Sequence, residues 1–525
     1  MSSPFVYRWG IFPLWLLLTT TIFFRNPIPI DETRYLSVAW EMWQRGDFLV
    51  PYLNGHTYSH KPPLLFWLFE SGWNLFGVNE WWPRLVGPLC ALGNLIMVRQ
   101  LAAKLWPEDS ATALSAPWIL LATLLWTLFA SSTMFDTLLT CCVLLGMLGL
   151  VETVKGESFK GWSYVALAIG LGFLAKGPVI LMHLLPSALL AFFWSKPENR
   201  FNKMWFAYLG LAILAGCAIA LAWALPAASA GGKEYADAIL WHQTADRTVG
   251  TKIHARGFYW YLIFLPLLVF PWIAWPRLWQ SIVRADFSGD TGLRLCSTWL
   301  LTSFVLFSAL PSKQLHYLIP ILPAFALICA RVLGHSDSLG RLTADYLPAL
   351  FIAIVGLFLI FLPNVPGLAK LNWVQQVEPH WGLSVIAIAI IIAASVWRLG
   401  GLSVALLSSS IVLAIFIGFI FFFRYTGLQY NLRPAALKLK AFNERQIPAA
   451  YVGDYQGQLH FLGRLTQPLE VINPEQATDW ARQHPTGYLL YLEKTKPNQA
   501  AYIQPHREYW LVFRTAQQAL SPSPN

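Results

Sequence analysis

Apolar runs long enough to cross a lipid bilayer recur along most of this chain, and they constrain its fold more than any other feature. Ile11–Phe24 (IFPLWLLLTTTIFF) and 402–423 (LSVALLSSSIVLAIFIGFIFFF) are two of them. A helix needs about 20 apolar residues to cross roughly 30 Å of hydrocarbon. Only 12% of the 525 residues are charged, against about 25% in soluble chains. The chain is therefore read as an all-α polytopic membrane protein. About 13 spans are expected, at 9–25, 82–103, 112–131, 133–152, 161–175, 177–194, 203–225, 257–276, 293–310, 315–333, 345–362, 382–398 and 402–423. The region 161–194 is split because 174–179 (LAKGPV) places Lys, Gly and Pro where one helix ends and the next begins. Span 1 lacks a small-residue cleavage site and is expected to be a retained helix, not a removable signal. All six Cys fall in apolar runs and are expected to act as small buried hydrophobes without disulfides.

The formal net charge is +10, and its distribution argues for membrane orientation and lipid phosphate rather than nucleic acid. With the N-terminus in the cytoplasm, the inner loops hold Arg99 and Lys104, Lys155 and Lys160, Lys196, Arg200 and Lys203, Arg277, Arg284 and Arg294, Arg331 and Arg341, and Arg398. The short outer turns then hold only Lys176 and Lys313. That asymmetry follows the positive-inside rule, and an odd span count puts the C-terminus outside. Three long segments lie on the outer face: 26–81, 226–256 and a tail from about 424. Within the first, 35–43 and Leu64–Phe76 read as Trp-rich amphipathic helices in the membrane interface. Residues 1–424 are expected to form the transmembrane domain. Residues 425–525 are expected to form a small outer α/β domain, with strand-like runs at 449–455, 487–494 and 508–514 and a helix at 475–484.

The chemistry-bearing residues gather on that outer face. Asp31 and Glu32 follow span 1 directly, with Arg34 one turn on. Asp31 suits a helix N-cap; it also suits a carboxylate that orients or deprotonates a hydroxyl. Asp136, a lone acid at the start of a span, invites the same two readings, because ionisable groups in membrane segments mark function. Lys61 precedes Pro62 and Pro63, at the expected start of a helix, where the dipole disfavours a cation. A bound phosphate suits both the Lys and the helix N-terminus. The 241–262 segment adds His242, Arg247, Lys252, His254 and Arg256 among aromatics, a mixture suited to a phosphate head group on a lipid tail. Lys176 and Lys313 either widen that cation set or snorkel to the interface. His60 and His242 are the candidates for a divalent, zinc-like metal, without the close spacing that marks such sites. No Walker motif, GxGxxG or HExxH is present, so nothing supports ATP, dinucleotide or zincin chemistry.

Read together, 31–51 (DETRYLSVAWEMWQRGDFLVP), 58–68 (YSHKPPLLFWL), 76–85 (FGVNEWWPRL), 131–140 (SSTMFDTLLT), 172–179 (GFLAKGPV), 241–262 and 308–324 (SALPSKQLHYLIPILPA) resemble a known family. It comprises the bacterial aminoarabinose transferases of lipid A and their protein O-mannosyltransferase relatives, which are GT-C glycosyltransferases. The resemblance implies about 13 spans, outer interfacial helices, a soluble C-terminal domain and a polyprenyl-phosphate sugar donor. By motif, Asp31 corresponds to the catalytic acid after the first span and Asp136 to the second acid. Arg34, Lys61 and Arg247 match lipid-phosphate positions, and His60 and His242 occupy the places of a metal site. The aminoarabinose enzyme reads FEKP where this chain reads SHKP.

The expectation is an integral inner-membrane glycosyltransferase with a cytoplasmic N-terminus and a periplasmic tail. It would move a sugar from undecaprenyl phosphate to a lipid or protein acceptor, with inversion. The alternative is a lipid-linked sugar transporter or flippase, which would need polar residues running through the bundle.

Overall fold

The structure is a computed structural model describing residues 4–195, 203–242, 256–334, 343–399 and 402–521. Ten helices among them are long and apolar enough to cross a membrane. The count is eleven when Ser110–Ala122 and Leu124–Ala130, bent by 72°, are taken as one span. Besides that bent pair, two of the thirteen expected spans do not form single long helices. The 177–194 segment divides into Val179–Leu189 and Ala191–Trp194, with Pro186 inside the first piece. The 257–276 segment is Trp260–Leu268 and then a short turn at Trp272–Ala274, with Pro266 and Pro271 interrupting it. Proline removes a backbone donor and ends the helical ladder, which a hydropathy window does not register.

The bend after Ala122 is stabilised from its surroundings. The Leu124 N–H donates to the Phe270 carbonyl at 2.9 Å, and the Thr127 hydroxyl donates to the Leu121 carbonyl at 2.6 Å. Backbone groups freed inside a membrane segment need such partners.

Two helices that carry candidate residues cross closely. Phe135–Val154 and Ser158–Lys176 touch through Gly149 and Gly161. A Cβ on Gly149 would lie 2.6 Å from the Gly161 carbonyl oxygen. Small residues at such crossings let backbones approach, and the approach fixes Asp136 on the first helix relative to Lys176 on the second.

Both stretches expected to lie in the interface form helices, Asp31–Arg45 and Leu64–Phe76. A small antiparallel hairpin joins them, β1 (Tyr52–Leu53) with β2 (His56–Thr57). The tail forms a five-stranded sheet of β3 (Ala449–Val452), β4 (Glu470–Ile472), β5 (Tyr488–Glu493), β6 (Tyr502–His506) and β7 (Tyr509–Thr515), in the order β4-β3-β5-β7-β6. Strands β3 to β5 are parallel and the β5–β7–β6 side is antiparallel. The helix Arg433–Glu444 leads into the sheet.

One apolar core runs from the interfacial helices into the tail. It contains Tyr35, Leu36, Phe66, Phe69 and Trp73 together with Phe461, Leu490 and Phe513. Trp73 stacks on Phe461 with ring centroids 5.5 Å apart and planes 9° apart. Burying large aromatics in such pairs contributes about 0.5–1.5 kcal/mol beyond area.

Candidate active site

Asp31 is the first residue of its helix, and Ile30 occupies the N-cap position without a side-chain bond. Asp31 is thus free of capping duty while the helix dipole still favours its charge. Its Oδ1 accepts from Arg34 Nη2 at 2.5 Å and lies 3.4 Å from the Tyr35 hydroxyl. The Asp31 side chain remains 46% exposed in that pair, so the carboxylate still faces solvent. Arg34 Nη1 donates to Gln456 Oε1 at 3.0 Å, across 422 residues of sequence. Burial works against the Arg34 charge, yet Tyr58 and Asp31 beside it raise the guanidinium above its ordinary value. Burial, and then Asp31, push the Tyr35 phenol well up, so it stays a neutral donor.

Glu32, the next residue, has a different fate. Its carboxylate accepts from Arg25 at 2.5 and 2.9 Å, from the Ile28 N–H at 2.7 Å and from the Thr133 N–H at 2.7 Å. Arg25 also donates to the Ser131 carbonyl at 2.7 Å, and Arg84 donates to the Arg25 carbonyl at 2.6 Å. Burial opposes the Glu32 charge, but Arg25 and then Arg84 hold its carboxyl below the ordinary value. Glu32 therefore ties the segment before Asp31 to the one before Asp136.

Asp136 is the second residue of Phe135–Val154, and Met134 stands at the N-cap, so the capping alternative fails here too. Its Oδ1 accepts from Lys176 Nζ at 2.5 Å, with both side chains buried. Lys176 ends the Ser158–Lys176 helix, where the dipole favours a cation, and lies 4.9 Å from the Tyr317 ring centre. Lys61 sits 5.6 Å from the ring centre of Phe135, the neighbour of Asp136, and is within electrostatic reach of Asp136. His316 lies within reach of Asp136, Lys176, Lys61 and Asp31 together. The structure thus brings Asp31, Arg34, Lys61, Asp136 and Lys176 to one end of the bundle, around His316 and Tyr317.

Lys313 is buried and donates to the Leu310 carbonyl and, at 3.0 Å, to the Arg256 carbonyl. Its ammonium is directed at the carboxyl end of the Thr291–Ala309 helix and not into the cluster. His60 is exposed and packs edge-on against Tyr58 at 5.3 Å. His242 ends a short turn of π-helix at Ala238–His242, but its side chain, like the whole of Arg247, lies outside the described residues. Among the described residues no three His, Cys, Asp or Glu side chains converge as a metal site would require.

Sequence reading missed four contributors. Gln456 comes from the tail and carries no motif. His316 and Tyr317 sit in the 308–324 stretch, where Lys313 drew the attention. Glu32 stood beside Asp31 without a role, and only its four bonds distinguish it. Pairing of Asp136 with Lys176 was open to a charge argument, since each was the odd ionisable group in its segment.

The family model described as dolichyl-phosphate-mannose-protein mannosyltransferase matches residues 60–223. The undecaprenyl phosphate-alpha-4-amino-4-deoxy-L-arabinose arabinosyl transferase of Pseudomonas aeruginosa (strain LESB58) is 28% identical over 380 residues, 71% of this chain and 66% of that protein. The enzyme of the same name from Pectobacterium carotovorum subsp. carotovorum (strain PC1) is 28% identical over 316 residues, 57% of this chain and 54% of its own length. The chain thus spans just under two thirds of the first of these relatives and about half of the second. The crystal structure of ArnT from Cupriavidus metallidurans bound to undecaprenyl phosphate has the same fold, with a TM-score of 0.74, 19% identity and 98% of each chain covered. Motifs, family model and whole-length fold all liken the chain to the GT-C family of the aminoarabinose transferases and protein mannosyltransferases.

Proposed function

We propose that this protein is an integral-membrane glycosyltransferase that takes a sugar from a polyprenyl phosphate, of the undecaprenyl type, and places it on a lipid or protein acceptor. The observation that carries the reading is a half-open carboxylate, Asp31, paired with Arg34 at the same end of the bundle as Lys61 and the Asp136–Lys176 pair. An anionic leaving group and a sugar that must be approached from one side call for that combination. The names of the relatives point the same way.

In this reading the acceptor attacks the anomeric carbon, the bond from that carbon to the phosphate oxygen breaks, and the polyprenyl phosphate leaves with the electron pair. Displacement from the opposite side inverts the centre. Arg34 and Lys61 stabilise the charge as it forms on the phosphate, where preorganised donors are worth most, and Arg247 completes the set. Asp31 takes the proton of a hydroxyl acceptor. An acceptor that is already a phosphate needs no such step, and Asp31 then orients the sugar. Asp136 acts through Lys176, holding the ammonium toward the cluster. Lys313, bonded to backbone carbonyls, is left out of the set. The N-terminus lies in the cytoplasm, the cluster and the tail face the periplasm, and the chain resides in the inner membrane.

Purified protein in detergent, given labelled undecaprenyl-phospho-sugars and candidate acceptors, tests this directly. Sugar transfer without a sealed bilayer is the expected result. Turnover only across intact vesicles would make the protein a transporter and overturn the reading.

A further inference from the structure

The tail reaches the candidate active site through one side chain. Gln456 Oε1 accepts from Arg34 Nη1 at 3.0 Å, whereas Asp31 takes the other terminal nitrogen, Nη2. The amide is itself oriented: Gln456 Nε2 donates to both Asp454 oxygens at 2.8 and 2.7 Å. Asp454 can only accept when ionised, so it claims the amide nitrogen and turns the amide oxygen toward Arg34. The resulting order is carboxylate, amide, guanidinium, carboxylate, from Asp454 through Gln456 and Arg34 to Asp31.

The loop that presents Gln456 has little freedom. Its backbone turns at Gly453 and Gly457, with φ of +101° and +68°. A Cβ on Gly457 would meet Leu53 Cδ1 of the β1–β2 hairpin at 2.3 Å. The hairpin in turn runs on to Lys61. Around the loop the tail is bonded to the Asp31–Arg45 helix: the Phe461 N–H donates to Ser37 Oγ at 3.1 Å, and Trp40 Nε1 donates to the Leu465 carbonyl at 2.9 Å. Asn54 of the hairpin bonds Leu469 in both directions, at 2.9 and 2.8 Å. Gln456 is thus held in register with Arg34 by contacts on either side of it.

We propose that Gln456, oriented by Asp454, is a positioning residue for Arg34, so that the tail completes the donor-phosphate site instead of standing beside it. This rests on the reading of Arg34 as a phosphate-binding side chain. An Arg anchored only by Asp31 would fold onto that carboxylate and neutralise it. The amide on the other terminal nitrogen holds the guanidinium between the two and leaves its remaining donors for the lipid phosphate. The Nε of Arg34 is buried and has no partner among the described residues, as expected of a donor kept for a ligand.

The test uses the full chain in detergent with undecaprenyl phosphate as probe, reading affinity and thermal unfolding. Gln456→Met keeps the length and removes the amide; it should weaken binding about tenfold, the scale of one hydrogen bond to a charged group, with Tm unchanged. Gln456→Glu should weaken it at least as much, because a carboxylate would compete with phosphate for Arg34. Asp454→Asn should act in the same direction with a smaller loss, and serves as the second reading if Gln456→Met folds poorly. The double variant Arg34→Met/Gln456→Met should be no weaker than Arg34→Met alone, since Gln456 acts through Arg34. Native affinity in both Gln456→Met and Gln456→Glu, while Arg34→Met binds weakly, overturns the proposal and spares the phosphate role of Arg34. Additive losses in the double variant also overturn it. Native affinity in Arg34→Met would instead remove the phosphate role of Arg34, and this proposal with it.

Discussion

The two ends of the helical bundle treat their carboxylates differently. The helix Trp81–Leu105 connects them, with Arg84 at the cluster end and Lys104 at the other. At the Lys104 end three acids are saturated. Asp290 accepts from Trp106, Arg331 and the Leu293 N–H. Asp109 accepts from Arg331 and twice from Thr112. Asp345 accepts from Trp275 Nε1 at 2.9 Å and from Arg277 at 3.1 and 2.5 Å. At the other end Glu32 follows the same pattern, whereas Asp31 has one cation and open solvent, and Asp136 has one cation. A saturated acid has no capacity left for substrate and pins loops together. An acid with spare lone pairs has a reason to be there that packing does not supply. By that standard two adjacent residues, Asp31 and Glu32, belong to different classes.

Breaking a saturated pair should produce the largest change. Arg25→Met and Arg277→Met each leave a buried carboxylate uncompensated, at a cost of about 3–5 kcal/mol. Both should show as a fall in thermal stability in detergent. If the ends differ as described, the surviving folded Arg277→Met should turn over normally. Asp31→Asn should do the reverse, losing about 100-fold or more in turnover with native unfolding temperature. Near-native turnover in that variant would place Asp31 with Glu32 and erase the contrast.

The pair Asp136–Lys176 decides which class it joins. Replacing both as Asp136→Leu/Lys176→Met removes two buried charges together and should cost little stability, since apolar substitutes of similar volume often match a buried pair. Loss of transfer activity in a stable double variant assigns the pair to the site, and retained activity makes it a pin. A pH-dependent effect should come from Glu70, buried on the Leu64–Phe76 helix with no hydrogen-bond partner among the described residues. Burial, and then Asp47, push its carboxyl from 4.5 to about 8. A raised acid favours the folded state at low pH, and that advantage is lost as the pH climbs from 4.5 through about 8. Glu70→Gln should therefore raise Tm relative to the native chain above about pH 8 and match it below 4.5.

Much of the architecture is legible in the sequence because hydropathy and charge are local properties. The interfacial helices, the split at Lys176-Gly177-Pro178 and the tail strands β3, β5 and β7 all follow from windows of thirteen residues or fewer. The short edge strands β4 and β6 do not, since three or five residues, one of them Pro505, give no pattern to count. The site is legible as a list and not as a geometry. Asp31 and Lys61 stand out by their positions after a span and before a Pro pair. That Lys313 turns to two carbonyls while Lys176 finds an acid depends on helix crossings that no local window contains. Gln456 is the extreme case: a neutral residue in a turn, made relevant only by where the sheet docks.

The shared core of the tail and the interfacial helices also bears on how the protein is made. A ribosome that has finished residue 424 has already supplied Asp31, Arg34, Lys61, Asp136 and Lys176. Trp73 and Phe69 nevertheless lack the faces that Phe461, Leu490 and Phe513 provide. The cluster's supporting wall arrives after the spans described above have been made. A chain cut short before the sheet thus carries the acids and cations assigned to transfer without the shape that holds them.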